Sequence, residues 1–134
     1  MTDDLIKMPP SLPLGMKLEL SRAKLLPDTE EKFSEWMNFL HENYSEIQEE
    51  LGAEQAIFEC TFVRSDEDGT RWIYHLSLMG ESSKGLNTEI PLSAKHHDFA
   101  VQCKERGWEE LQPTLFLAPK EVIQSMSGWL QMQL

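Results

Sequence analysis

Residues 56–65 and 70–79 are rich in β-branched and aromatic side chains, and the four residues between them are Asp66, Glu67, Asp68 and Gly69. That pattern is a β-hairpin. It constrains the chain more than any other stretch, because its register decides which side chains share a face. A three-residue loop, Glu67 to Gly69 with a left-handed Gly69, sets Asp66 opposite Thr70, so even residues oppose even ones across the ladder. One face then carries Phe58, Cys60, Phe62, Trp72, Tyr74, Leu76 and Leu78, and it is the expected core surface. The other carries Ile57, Glu59, Thr61, Val63, Ile73, His75, Ser77 and Met79. Half of that second face is apolar, which argues against leaving it in water.

The flanking segments supply the other layers. Leu18 and Leu20 alternate with Lys17, Glu19 and Ser21, predicting a first strand that runs to about Leu26 and ends at Pro27. Asp28 with Glu31 three residues on reads as a capping box. It opens one long amphipathic helix through Phe33, Trp36, Met37, Leu40, Tyr44, Ile47 and Leu51, stopping at Gly52. Ser93 is expected to cap a second helix whose inner face is His96, Phe99, Ala100 and Cys103, closing near Gly107. Leu111 to Leu117 reads as a last strand, which Pro113 places at an edge or a bulge. Pro119 suits the first turn of a third helix carrying Val122, Ile123, Met126, Trp129 and Leu130. The order β-α-β-β-α-β-α predicts an α+β fold: a split βαβ arrangement of four antiparallel strands with helices on one face, plus a C-terminal helix. Pro9, Pro10, Pro13 and Gly15 make residues 1–15 an extended arm, leaving 16–134 as one folded domain.

Charge narrows the function classes. Against 12 Lys+Arg stand 23 Asp+Glu in 134 residues, a formal net charge of −11. Such a field repels phosphate backbones and anionic lipid, so neither nucleic acid nor a membrane surface is an expected partner. No apolar run reaches the roughly 20 residues that span a bilayer, and Met1 to Lys7, with Asp3 and Asp4, has no signal-peptide pattern. Cys60 and Cys103 fall inside apolar-periodic segments, the placement of reduced thiols in a cytoplasmic protein.

Several of these residues carry a resemblance. They are Trp36-Met37 in the first helix, Ile57-Phe58 opening the second strand, the Asp68-Gly69 turn, Trp72-Ile73-Tyr74 in the third strand, and Lys95-His96 with Phe99 and Cys103 in the second helix. Over about Met16 to Met126 the chain resembles the ferredoxin-like dimeric α+β barrel proteins, and within them an uncharacterised family of small bacterial domains. Members typically have Pro-Gly after the first strand where this chain has Pro27-Asp28. The resemblance implies a ferredoxin-like sheet and a homodimer formed through a sheet face. The face bearing Ile57, Ile73 and His75 is expected to supply it, because it has no helix of its own; the third helix covering part of it is the alternative. Haem-degrading monooxygenases of the wider group have a Trp on the third strand, a His on the second helix and an Asn on the first strand. Trp72 and His96 stand at comparable places, with Ser21, Arg22 and Lys24 where the Asn would be.

Two constellations are candidate sites. The first is a small-molecule pocket between helices and sheet, with Trp72, Tyr74 and His96 as ligand-binding residues; an inward imidazole can also be a neutral core group bonded to a neighbour. The second pairs Glu59 with His75, diagonal neighbours on one face. A carboxylate beside an imidazole suits a general base, and equally a satisfied polar pair at an interface. Glu59, His75 and His96 are thus the candidate catalytic residues of a small isomerase or monooxygenase. A non-enzymatic interaction protein with an acidic surface is the alternative. His41 and His97 read as solvated. No cofactor motif is present, and a zinc site from His75, His96 and Cys60 is rejected because it would draw on both sheet faces.

Overall fold

The Asp66–Gly69 turn closes as its residues require. Gly69 is left-handed at φ 88°, and the Asp66 amide donates to the Thr70 carbonyl at 2.8 Å. In the computed structural model, which describes residues 6–134, the strands on either side are β2 (Ala56–Ser65) and β3 (Arg71–Gly80). They pair with Thr61 opposite His75 and Glu59 opposite Ser77, the expected register. Strand β1 (Met16–Lys24) flanks β3 on its other side, and the short β4 (Glu109–Leu111) flanks β1. The result is a four-stranded antiparallel sheet in the order β2-β3-β1-β4. Helices α1 (Glu30–Glu42) and α2 (Tyr44–Ala53) connect β1 to β2, α3 (Pro91–Cys103) connects β3 to β4, and α4 (Lys120–Gln133) follows. This is the predicted α+β class with the ferredoxin-like strand order.

The layers lie on the opposite side from the one expected. Helices α1 and α3 cover the face of Ile73, His75 and Ser77, where Ala23, Leu25, Trp36, Ile73 and Cys103 form a buried cluster ringed by Phe33, Met37, Leu40, Phe99 and Ala100. Small residues decide this. Ser21, Ala23 and Ser77 let a helix layer settle onto the strands, whereas Phe62, Trp72 and Tyr74 would hold it away. The face assigned to a second copy is therefore covered by the chain's own helices. Ile57 is not even on it: a bulge between Ala56 and Phe58 turns Ile57 to the other side, against Met126 and Trp129 of α4.

That other side has its own cover over one half. Leu12, Met16, Leu78 and Leu130 are buried together, with Met8, Leu18, Phe58 and Phe116 packed around them. The described part of the arm is docked. Gln112 accepts from the Lys7 amide at 3.3 Å and donates back to its carbonyl, and the Ser11 hydroxyl donates to the Phe116 carbonyl. Residues 1–5 of the predicted arm lie outside the described residues.

Four local expectations are corrected. The long helix is two: Asn43 leaves helical geometry at φ −111° and its side chain donates to the Phe39 carbonyl, separating α1 from α2. Asp28 does not cap α1; it takes φ 60°, a left-handed position that favours glycine, and Thr29 precedes the helix. Helix α3 starts at Pro91, so Ser93 is buried inside its first turn rather than capping it. The last strand is Glu109–Leu111, which shares only Leu111 with the expected Leu111–Leu117; beyond it Pro113 has no amide to continue the ladder and Gln112 turns its side chain to the arm.

Candidate functional site

Strand alternation and register place side chains in rows across the sheet. On the helix-covered face one row is apolar: Val63, Ile73 and Ala23. The next is polar across all four strands, with Thr61, His75, Ser21 and Glu110. The row after it is also polar, with Glu59, Ser77 and Glu19. A helix-covered sheet face is normally apolar, and here Ser77 is only 1% exposed, with Ser21 and Ser93 also buried.

His96 lies on this same side. The Trp36 indole N–H donates to its Nδ1 at 2.8 Å. Burial, with smaller contributions from His75 and His97, pushes the His96 pKa down to about 4. The ring is therefore neutral at pH 7, and with Nδ1 accepting, its proton sits on Nε2 as a hydrogen-bond donor. His75 is half-buried, its ring centroid 6.2 Å from that of Trp108. Lys104 Nζ sits 4.5 Å from the Trp108 ring and is held by the Glu105 and Gly107 carbonyls. At the β4 end of the rows, burial and the hydrogen-bonded carboxyl of Glu19 push Glu110 upward in pKa. Glu19 also pairs with Lys17 at 3.3 Å. A cavity of about 320 Å³ opens there, lined by Glu19, Glu110, Lys17 and Met8 among others.

The predicted site residues are thus sorted by side. His96 and His75 share the helix side, which corrects the premise that they lie on opposite faces; Cys60 is across the sheet from both. Trp72 and Tyr74 point to the other side. Trp72 is stacked under Arg22, whose guanidinium carbon is 4.0 Å from the ring, and its indole donates to Asp66 at 3.0 Å. Arg22 in turn bonds Glu109 at 2.9 Å. The Trp–His pairing of the haem-degrading enzymes is therefore not assembled from Trp72; the indole facing His96 is Trp36 of α1. Glu59 is exposed, beside His75 in register, and among the described residues no hydrogen bond joins the two.

Two features were not singled out from the sequence. One is the Trp36–His96 bond, which needs α1 and α3 side by side. The other is Glu54, half-buried at the end of α2, whose pKa burial raises to about 7 with help from Glu59 and Glu50. The polar rows themselves become readable once β1 is registered against β3.

Fold and site together define an α+β protein of ferredoxin-like strand order in which Ser21 and Ser77 are buried on the helix-covered face of the sheet and Thr61 and Glu59 are exposed at its β2 end. The family of unknown function DUF6176 matches residues 16–124, and the chain belongs to it. A comparison with curated proteins finds none that matches.

Proposed function

We propose that this chain is a small-molecule-binding domain whose ligand lies between the helices and the sheet. The ligand rests on Thr61, His75 and Ser21, with His96 Nε2–H as a donor from above. The observation that carries this reading is the polarity of the covered face. Buried hydroxyls and imidazoles cost stability unless they have partners. Ser21 and Ser77 are buried beneath the helices and His75 between them is half-buried, with Thr61 exposed at the open end of the row, so this strip offers polar groups to an occupant that enters from the β2 side. Neutral His96 acts as a hydrogen-bond donor there rather than a proton source at pH 7. His75, with Glu59 as diagonal neighbour, is the group suited to move a proton if the bound molecule reacts.

The test is an NMR-observed screen of small carboxylic acids, phenols and amides against the ¹⁵N-labelled chain. Shifts clustered at Ser21, Thr61, His75 and His96, and abolished in His75→Phe with folding retained, support the reading. Hits that map only to α4 and Ile57, or no hit at millimolar concentration, overturn it.

A further inference from the structure

The geometry points to the outer edge of β2 as the contact through which a second copy of this chain adds its own β2. Strand β2 is an edge strand, and among the described residues no strand pairs with its outer side. From Glu59 to Ser65 every residue but Cys60 is exposed, with Phe62 at 54% and Val63 at 56%. Folded proteins protect such edges with proline, lysine, bulges or short length. Here the strand has ten residues, Ala56–Ser65, without Pro or Lys, its charged side chains are Glu59 and Arg64, and its one bulge lies at the far end beside Ala56.

Charge along this strip permits a like copy. The chain carries −11 overall, but within Ala56–Ser65 the charged residues are Glu59 and Arg64, so the edge is neutral. Two copies paired about Thr61 set Glu59 against Val63 and Arg64 against Phe58, so no like charges oppose each other within the strip.

Backbone geometry then fixes the register. The bonded pair Asp66–Thr70 and the β2–β3 register direct the amides and carbonyls of even residues to β3, leaving those of Glu59, Thr61, Val63 and Ser65 pointing outward. A two-fold axis perpendicular to the sheet makes the strands antiparallel and keeps both helix layers on one side, so opposed residues must be outward-bonding odd pairs. Centring the axis on Thr61 pairs 58–64. It sets Glu59 opposite Val63, Cys60 opposite Phe62, and Thr61 opposite itself, while the two Glu59 residues stay about 14 Å apart along the strands. Two four-stranded sheets then become one, and the polar row of Thr61, His75 and Ser21 runs on through both copies. This contact replaces the sheet-face dimer expected through Ile57, Ile73 and His75.

The full chain is first weighed by light scattering after size exclusion, where twice 15.5 kDa is expected. Phe62→Cys then tests the register, because it lies opposite Cys60 of the second copy in a non-hydrogen-bonded pair of disulfide-compatible spacing. Mild oxidation is expected to give a covalent dimer linked between positions 60 and 62, with the fully buried Cys103 unreacted. Thr61→Pro removes an outward amide that the single copy does not use, so it and Val63→Lys are expected to yield monomer with an unchanged circular dichroism spectrum. A monomeric wild type overturns the proposal. So does a dimer that survives both edge variants, or one in which Phe62→Cys forms no such link.

Discussion

The indole N–H of Trp36 donates to Nδ1 of His96 across the seam between α1 and α3, at 2.8 Å with ring centroids 5.6 Å apart. Both groups are polar in a position where the neighbouring side chains, Phe33 and Phe99 among them, are not. The bond satisfies the indole and fixes the imidazole tautomer, so the two residues behave as one unit of the core.

Trp36→Phe is expected to destabilise the fold by about 2–4 kcal/mol, combining a lost buried bond with a small void. Urea denaturation measures the loss. In the same variant, an NMR titration is expected to find the His96 pKa moved up from about 4 toward the ordinary imidazole value as water reaches the ring.

His96 also sets a pH dependence. Its folded pKa lies below the unfolded value of 6.5, so between pH 6.5 and about 4 the unfolded chain binds the extra proton and stability falls as pH falls. The full effect is on the order of 3 kcal/mol. Denaturation midpoints measured across that window should drop, and a His96→Gln variant should show a flatter slope over the same range.

Glu54 acts with the opposite sign. Its carboxyl is raised to about 7 by burial and by Glu59 and Glu50, so the folded state holds the proton more tightly and stability is lost as pH rises from 4.5 through 7. Because the group is only half-buried, solvent screening limits the loss to about 1 kcal/mol. Glu54→Gln is expected to raise the melting temperature at pH 8 and to leave it nearly unchanged at pH 5.

Ala23→Leu tests which side of the sheet the helices cover. Ala23 is 5% exposed within the Trp36, Ile73 and Cys103 cluster. Added methylenes there should cost about 1–3 kcal/mol by overpacking. If Ala23 faced water, the thermal midpoint would not move.

Much of the sheet was legible before any contact was known. The Asp66–Gly69 turn has one low-strain closure, and that closure carries the register through Glu59–Ser77 and Thr61–His75 without further information. Helix boundaries were less legible where a side chain competes with the backbone, as Asn43 does by bonding the Phe39 carbonyl. The candidate site was half legible. His75 and His96 stand out as residue types, but their common side depends on a pairing between segments that periodicity does not connect. Tyr74 and Trp72 looked like pocket residues because large aromatics are usually core; here Arg22 covers the Trp72 ring instead.

The sequence by itself determined the succession of strands and helices apart from the break at Asn43, the hairpin register, the acidity and, except for Ile57 at the bulge, the membership of each alternating face. Only the tertiary structure decided which face the helices would cover. The reason is physical: alternation with period two defines two faces of a strand and is silent about which one receives the next layer. That choice is made by Ala23, Trp36, Ile73 and Cys103, which are far apart in the chain and meet only when small residues on one face admit the helices.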